Sequence, residues 1–227
     1  GNGRFYVGAW NNGPTKGIVN QGPGTSVSAY RVGVGWADTA AATGAQGVYH
    51  LNGGTLDANE IRVGSNGGNG EMTMAAGSTI NTSGNFGIGA WDQGNSTGKF
   101  TQSGGTVNVG NELGVGTGAG GVVTPHQGEY FLNNGDLNVG NWMSVGRDGG
   151  TGVVVQNTPG AVTIGSHLQI GRWRSGDQAN AVGSTGTYVL NNGAVVVNGH
   201  GVGAEDKGIL SIGVDTKANG ASGGGQL

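Results

Sequence analysis

The sequence predicts an all-β chain wound as a parallel β-helix, and three observations carry that prediction. Its 54 glycines among 227 residues recur on a fixed period. Short apolar alternations between them give each strand one dry face. The large length differences between repeats all fall at a single place in the unit, as insertions at one corner would. Without that period, a chain so rich in Gly with only 10% charged residues would read as low-complexity.

One recurring unit closes on Val-Gly or Ile-Gly, at Gly8, Gly33, Gly64, Gly89, Gly116, Gly146, Gly171 and Gly203. These anchors stand 25 to 32 residues apart, which reads as about eight coils of roughly 25 residues with insertions. A second unit opens on Gly, alternates, and ends in a Gly-rich turn, as in GVYHLNGG (Gly47 to Gly54), GKFTQSGG (Gly98 to Gly105) and GTYVLNNG (Gly186 to Gly193). A third strand such as TVNVG or DLNVG leads to the next anchor.

Strand side chains alternate between faces, so each unit declares its inward positions. Two residues after the opening Gly stand Val19, Tyr49, Met72, Phe100, Tyr130, Val154, Tyr188 and Leu210. The third strands offer Leu56/Ala58, Val107/Val109, Leu137/Val139, Val162/Ile164 and Val195/Val197. The anchor strands offer Phe5/Val7, Tyr30/Val32, Ile61/Val63, Phe86/Ile88, Leu113/Val115, Met143/Val145 and Leu168/Ile170. Three half-apolar strands per coil describe a tube filled with stacked columns, about 38 Å long at ~4.8 Å per rung. Residues 1–213 are expected to form one β-helix domain and 214–227 a Gly-rich tail. The first residue, Gly1, with no leader segment after it, suggests a mature chain or an excised piece.

The strings GKFTQSGGTVNVGNELGVG and GEYFLNNGDLNVGNWMSVG resemble the repeats of bacterial surface proteins known as autotransporter-associated and PEP-CTERM-associated β-strand repeats. The likeness runs from Phe5 to about Gly213. It implies a right-handed parallel β-helix (β-solenoid) and an extracellular or cell-surface location. The resemblance is specific for the repeat and weak for function, since such proteins include adhesins and secreted structural proteins.

The chemistry visible in the chain is sparse. No Cys is present, which removes disulfides and thiolate chemistry. The formal net charge of −3 gives no basic field for nucleic acid. The longest aliphatic runs, such as Val153–Val155, fall far short of the ~18 residues a membrane-spanning helix needs. His50, His126, His167 and His200 occupy unrelated positions in their coils, so neither a metal site nor a cofactor is expected. Glu71, Lys99 and Glu129 stack one residue after the opening Gly, as an exposed charge ladder would. The expectation is therefore a chain that is not an enzyme, with a glycan-active β-helix enzyme as the third reading.

Two surface features remain. Trp10, Trp36, Trp91 and Trp173 follow the anchors at the mouths of long corners, with Arg147, Arg172 and Arg174 nearby. They read either as anchors for inserted loops or as rings and cations for stacking on an anionic polysaccharide. Phe131, Val153, Val155, Val189 and Val196 occupy outward positions, and Phe5 and Val7 form an anchor strand with no coil before it. Those residues suggest self-association, sideways or head to tail, with further coils or copies of the same protein. The leading expectation is a structural or adhesive β-solenoid that builds fibre or matrix, and the alternative is a carbohydrate-binding one.

Overall fold

The computed structural model describes residues 3–9, 14–37, 44–91, 94–118, 126–172, 183–199, 208–213 and 224–226. Among them every regular element is a β-strand, and each strand pairs in parallel with its equivalent one turn away. The protein is a parallel β-solenoid with three sheets.

The anchor sheet stacks β1 (Arg4–Ala9), the ends of β3 (Ser26–Trp36) and β5 (Gly54–Ser65), β8 (Phe86–Ile88), β10 (Glu112–Thr117), β12 (Trp142–Arg147), β15 (His167–Ile170) and β18 (Ile209–Ile212). The opening sheet stacks β2 (Thr15–Gln21), β4 (Ala45–Leu51), β6 (Asn69–Met74), the beginnings of β9 (Thr97–Val109) and β11 (Gln127–Val139), β13 (Thr151–Gln156), β16 (Thr185–Leu190) and β19 (Gly224–Gln226). The third sheet stacks the beginnings of β3 and β5, β7 (Ser78–Thr82), the ends of β9 and β11, β14 (Ala161–Ile164) and β17 (Ala194–Val197). From β2 to β15 this makes six complete turns. Strands β16 to β18 form a seventh, and β1 and β19 are single end rungs, so there are slightly fewer turns than the anchor count predicts. Strand β19 falls in the stretch expected to be tail.

Between the anchor and opening sheets the prism narrows to an edge where only glycine fits. Gly116 has φ +58°, and a Cβ there would sit 1.8 Å from the Thr151 carbonyl oxygen; one on Gly128 would sit 2.2 Å from the nitrogen of Gly116. Anchor and opening glycines thus pack backbone to backbone.

Tyr49, Met72, Phe100, Tyr130, Val154 and Tyr188 form one interior column in direct register, each no more than 1% exposed. Phe100 stacks on Tyr130 with centroids 5.0 Å apart. Each such side chain contributes about 1.5–3 kcal/mol of burial before its ordering cost.

Two inward assignments are corrected. Tyr30 is 42% exposed, and Val32 and Val34 take the inward places opposite Phe5 and Val7. The run Val32-Gly33-Val34-Gly35 offers two anchors, and the second, Gly35 with φ +66°, is the one used. Leu210 belongs to the anchor sheet opposite Leu168, 51% exposed, so Gly213 rather than Gly203 follows that strand; Gly203 itself lies outside the described residues.

With these registers, a longer period emerges. From anchor Gly to opening Gly the corners span 9, 12 and 6 residues, then 9, 12 and 6 again, then 15 and 12. Gly8 and Gly89, Gly35 and Gly116, and Trp10 and Trp91 all lie 81 residues apart, so the true unit is three turns.

The core also holds a polar device that the hydrophobic pattern hides. Tyr49 donates its hydroxyl to Gln21 Oε1 (2.5 Å), Tyr130 to Gln102 Oε1 (2.5 Å) and Tyr188 to Gln156 Oε1 (2.6 Å), each Gln lying one turn earlier. The amide nitrogens donate onward to turn carbonyls, as Gln102 Nε2 does to Gly105 and Asp136, both at 3.1 Å. A Gln four residues after one opening Gly is followed by a Tyr on the next turn. Where that place is Leu51, Met74 or Leu132, the next turn carries Met72, Phe100 or Val154. The clasp satisfies both buried groups at once. Burial pushes the Tyr49 phenol up to about 12 and those of Tyr130 and Tyr188 well above their ordinary value.

Candidate functional site

Among the described residues, aromatic and charged groups gather on the outer face of the anchor sheet and at the start of the corner that follows it. On that sheet the outward position between the two inward apolar residues reads Tyr6, Gly33, Arg62, Gly87, Gly114, Ser144 and Gln169 along the rod. Aromatic rings fold back over its glycines. Trp91 adopts φ +64°, a conformation costly for a bulky residue. Its indole lies flat across Gly87 and Gly114, where added Cβ atoms would meet it at 2.8 and 2.3 Å. The Arg62 guanidinium sits 4.9 Å from the ring centroid, and the Trp91 backbone N–H donates to the Thr117 carbonyl at 2.8 Å. Most of the residue is covered, and part of it meets solvent.

Trp36 is more deeply set. Only 7% exposed, it stacks on Tyr6 (centroids 5.3 Å, 29°) with the Arg31 guanidinium 5.2 Å from its ring. It directly follows Gly35, one place earlier than Trp91 relative to its anchor, so the two rings are not equivalent. Trp10, Trp173 and Arg174 lie outside the described residues.

Ion pairs pave the same surface. Glu60 takes Arg31 Nε at 2.5 Å and Arg62 Nε at 2.8 Å, and Arg62 Nη1 donates to the Ala90 carbonyl at 2.9 Å. Burial works against the Arg31 charge, and the Glu60 carboxylate outweighs it, leaving the guanidinium pKa above its ordinary value. Further along the sheet, Arg147 Nη1, three turns on, lies 2.6 Å from Oε1 of Glu112, two turns on, and its Nε lies 3.2 Å from Asp148 Oδ2. Ser144 Oγ accepts from Arg147 and donates to Glu112. Arg147 is only 5% exposed and neutralised by its own neighbours, so its charge is spent inside the fold. Arg172 is half-buried, and its Nε has no hydrogen-bond partner; beside it in sequence, Gln169 is 1% exposed with both amide atoms unpartnered. Trp142, which precedes an anchor Gly instead of following one, packs on His167 with centroids 5.4 Å apart.

The self-association residues fall into three places. Phe131, Val155 and Val189 stand in one half-buried outward line on the opening sheet, with Val153 in the neighbouring column and Lys99 Nζ 5.5 Å from the Phe131 ring. Val196 is 41% exposed on the third sheet. Phe5 and Val7 point into the first rung, where Phe5 meets Tyr49 edge-on at 6.3 Å. Glu71, Lys99 and Glu129 form the exposed column expected of them.

Among the described residues no three His, Cys, Asp or Glu side chains gather as a metal site, and no described helix is long and apolar enough to cross a membrane. No family model, no curated protein and no solved structure matches the chain.

Proposed function

We propose that this chain is a non-catalytic structural β-solenoid of the cell surface or extracellular space, which works by associating with further solenoid rungs. One observation carries the reading. Each turn's core is sealed by the next, yet the last described rungs leave Leu190 (42%), Leu210 (51%) and Ile212 (39%) exposed. These rungs enclose a cavity of about 100 Å³ lined by Leu168, Tyr188, Leu190, Val195, Val197 and Leu210. Among the described residues β17 and β18 pair on one side only, and open edges beside such a surface favour another strand. The partner is a further copy of the chain or further coils of the same protein, joined end on or along the Phe131–Val155–Val189 line. The repeat resemblance to bacterial surface proteins supports the location. Negative-stain electron microscopy of the purified chain tests it: rods or fibres longer than the ~38 Å of a single solenoid, or laterally paired solenoids, support the reading, and uniform particles the size of one solenoid reject it.

A second reading, binding of an extracellular polysaccharide, is favoured by the partly exposed indole of Trp91 on its glycine seat. A Trp91 emission change on adding a glycan, absent in Trp91→Ala, supports it. An unresponsive emission leaves the ring as a loop anchor only.

A further inference from the structure

Two turns between the opening and third sheets share one arrangement. At Asn134–Gly135 the glycine N–H donates to the Asn134 side-chain Oδ1 at 2.9 Å, and at Asn192–Gly193 the glycine N–H donates to Asn192 Oδ1 at 2.8 Å. Both asparagines are exposed. Neither glycine belongs to a ladder pair, because the β9–β11 register skips Gly135 and Gly193 lies between β16 and β17. Only glycine fits there: an added Cβ would stand 2.3 Å from the Gly105 carbonyl oxygen at Gly135, and 2.2 Å from that of Gly160 at Gly193.

From these contacts we infer that Asn134 and Asn192 are deamidation sites, at which the following glycine nitrogen displaces the side-chain amide. That nitrogen already holds Oδ1 at hydrogen-bond distance, and Cγ lies one carbonyl bond, about 1.2 Å, from the oxygen. Ring closure therefore needs a small rotation and no rebuilding of the turn, and holding two reacting groups side by side speeds an intramolecular step. The glycine N–H gives its proton to solvent hydroxide, the nitrogen attacks Cγ, the N–Cγ bond forms, and the Cγ–Nδ2 bond breaks. Nδ2 takes a proton from water and leaves as ammonia. Water then opens the succinimide at either carbonyl. Breaking the new N–Cγ bond gives aspartate, whereas breaking the old backbone C–N bond gives isoaspartate, with the chain running through Cγ.

The fold withholds this geometry at two other Asn-Gly steps. Gly67 N–H donates to Ser96 Oγ at 3.0 Å, away from the Asn66 side chain. Asn69–Gly70 lies in register with both neighbouring turns, and Asn69 Oδ1 accepts from the Thr97 hydroxyl. Both reactive turns, by contrast, hold a Tyr–Gln clasp. Gln102 Nε2 donates to the Asp136 carbonyl and Gln156 Nε2 to the Ala194 carbonyl, both at 3.1 Å, each acceptor one residue beyond the reacting glycine. An isoaspartate inserts an extra backbone carbon just before that acceptor. Chemistry at an exposed turn thus reaches the buried tyrosines.

The test ages the purified full chain in warm, mildly alkaline buffer, folded and in urea, and follows each Asn-Gly step by peptide mass spectrometry, with isoaspartyl methyltransferase counting isoaspartate. In the folded chain, conversion at Asn134 and Asn192 should run at least roughly ten-fold faster than at Asn66 and Asn69, and urea should shrink that ratio to about two-fold or less. Both aspartate and isoaspartate should form. Equal rates in the folded chain, or a ratio that urea leaves unchanged, overturn the inference, and aspartate without isoaspartate overturns the ring route. Asn134→Gln/Asn192→Gln, whose longer side chains misplace the carbonyl, should keep its urea midpoint through ageing while that of wild type falls. Wild type that converts at both sites with an unmoved midpoint overturns the link to the clasps.

Discussion

Replacing Gln102 with Leu puts an ordinary core residue in an ordinary core place, and the structure says it will be costly. The substitution strips Tyr130, 1% exposed, of its hydroxyl acceptor at 2.5 Å, and strips the Gly105 and Asp136 carbonyls of a donor at 3.1 Å. A buried polar group left unpaired costs about 1–3 kcal/mol, so Gln102→Leu should destabilise by about 2–4 kcal/mol after the gain in apolar burial. Tyr130→Phe alone strands the Gln102 Oε1 and should cost about 1–2 kcal/mol. The double variant recreates the all-apolar steps the chain already uses, from Leu132 to Val154 and from Leu51 to Met72, and should cost less than Gln102→Leu alone. Urea midpoints of the four proteins give the coupling, expected at about 1–2 kcal/mol in favour of the pair. If the two single costs simply add, the Tyr–Gln clasp is not an energetic unit and this account of the core is wrong.

Other outcomes follow from the same contacts. The three clasped tyrosines have raised phenol pKa values, so their stabilisation is complete below pH 10 and is lost as pH climbs through about 12, the value for Tyr49; phenolate absorbance of these three should appear together with loss of the β circular-dichroism signal, and their titration in the intact fold would refute this. Gly114→Ala drives a Cβ to within 2.3 Å of the Trp91 ring, so it should lift the indole, red-shift its emission and cost about 1–3 kcal/mol; an unchanged spectrum would mean the ring does not sit there. Arg147→Ala leaves Glu112 largely buried without its cation and takes one pairing from Asp148, so it should destabilise by about 3 kcal/mol, measured by thermal melting. Glu112→Gln should be milder than Arg147→Ala because Asp148 still pairs with the arginine.

Much of this fold is legible in the chain because a solenoid writes its core in short range. The opening Gly sets the pleat, and Tyr49, Met72, Phe100, Tyr130, Val154 and Tyr188 then fall into one column with no knowledge of the neighbours. Val32-Gly33-Val34-Gly35 shows the limit: both Val-Gly steps satisfy the pattern, and only pairing with β1 and β5 chooses Gly35 and turns Tyr30 outward. The clasp was missed because a lone Gln in an apolar strand looks like an outer-face residue until the Tyr 28 to 32 residues later is set above it. The three-turn period was hidden by the same one-anchor slip. The surface was harder still. Whether Trp36 and Trp91 are covered depends on glycines at Gly33, Gly87 and Gly114, and whether Arg147 is available depends on Glu112 from the previous turn. Such facts lie across rungs, where single-sequence patterning does not reach.

Sedimentation velocity of the purified chain, from micromolar to near-millimolar concentration, tests the central claim of a solenoid that seals its exposed rungs with copies of itself. The account predicts a weight-average mass that rises with concentration beyond the 22.4 kDa of one chain. A single species holding at 22.4 kDa across that range would contradict it.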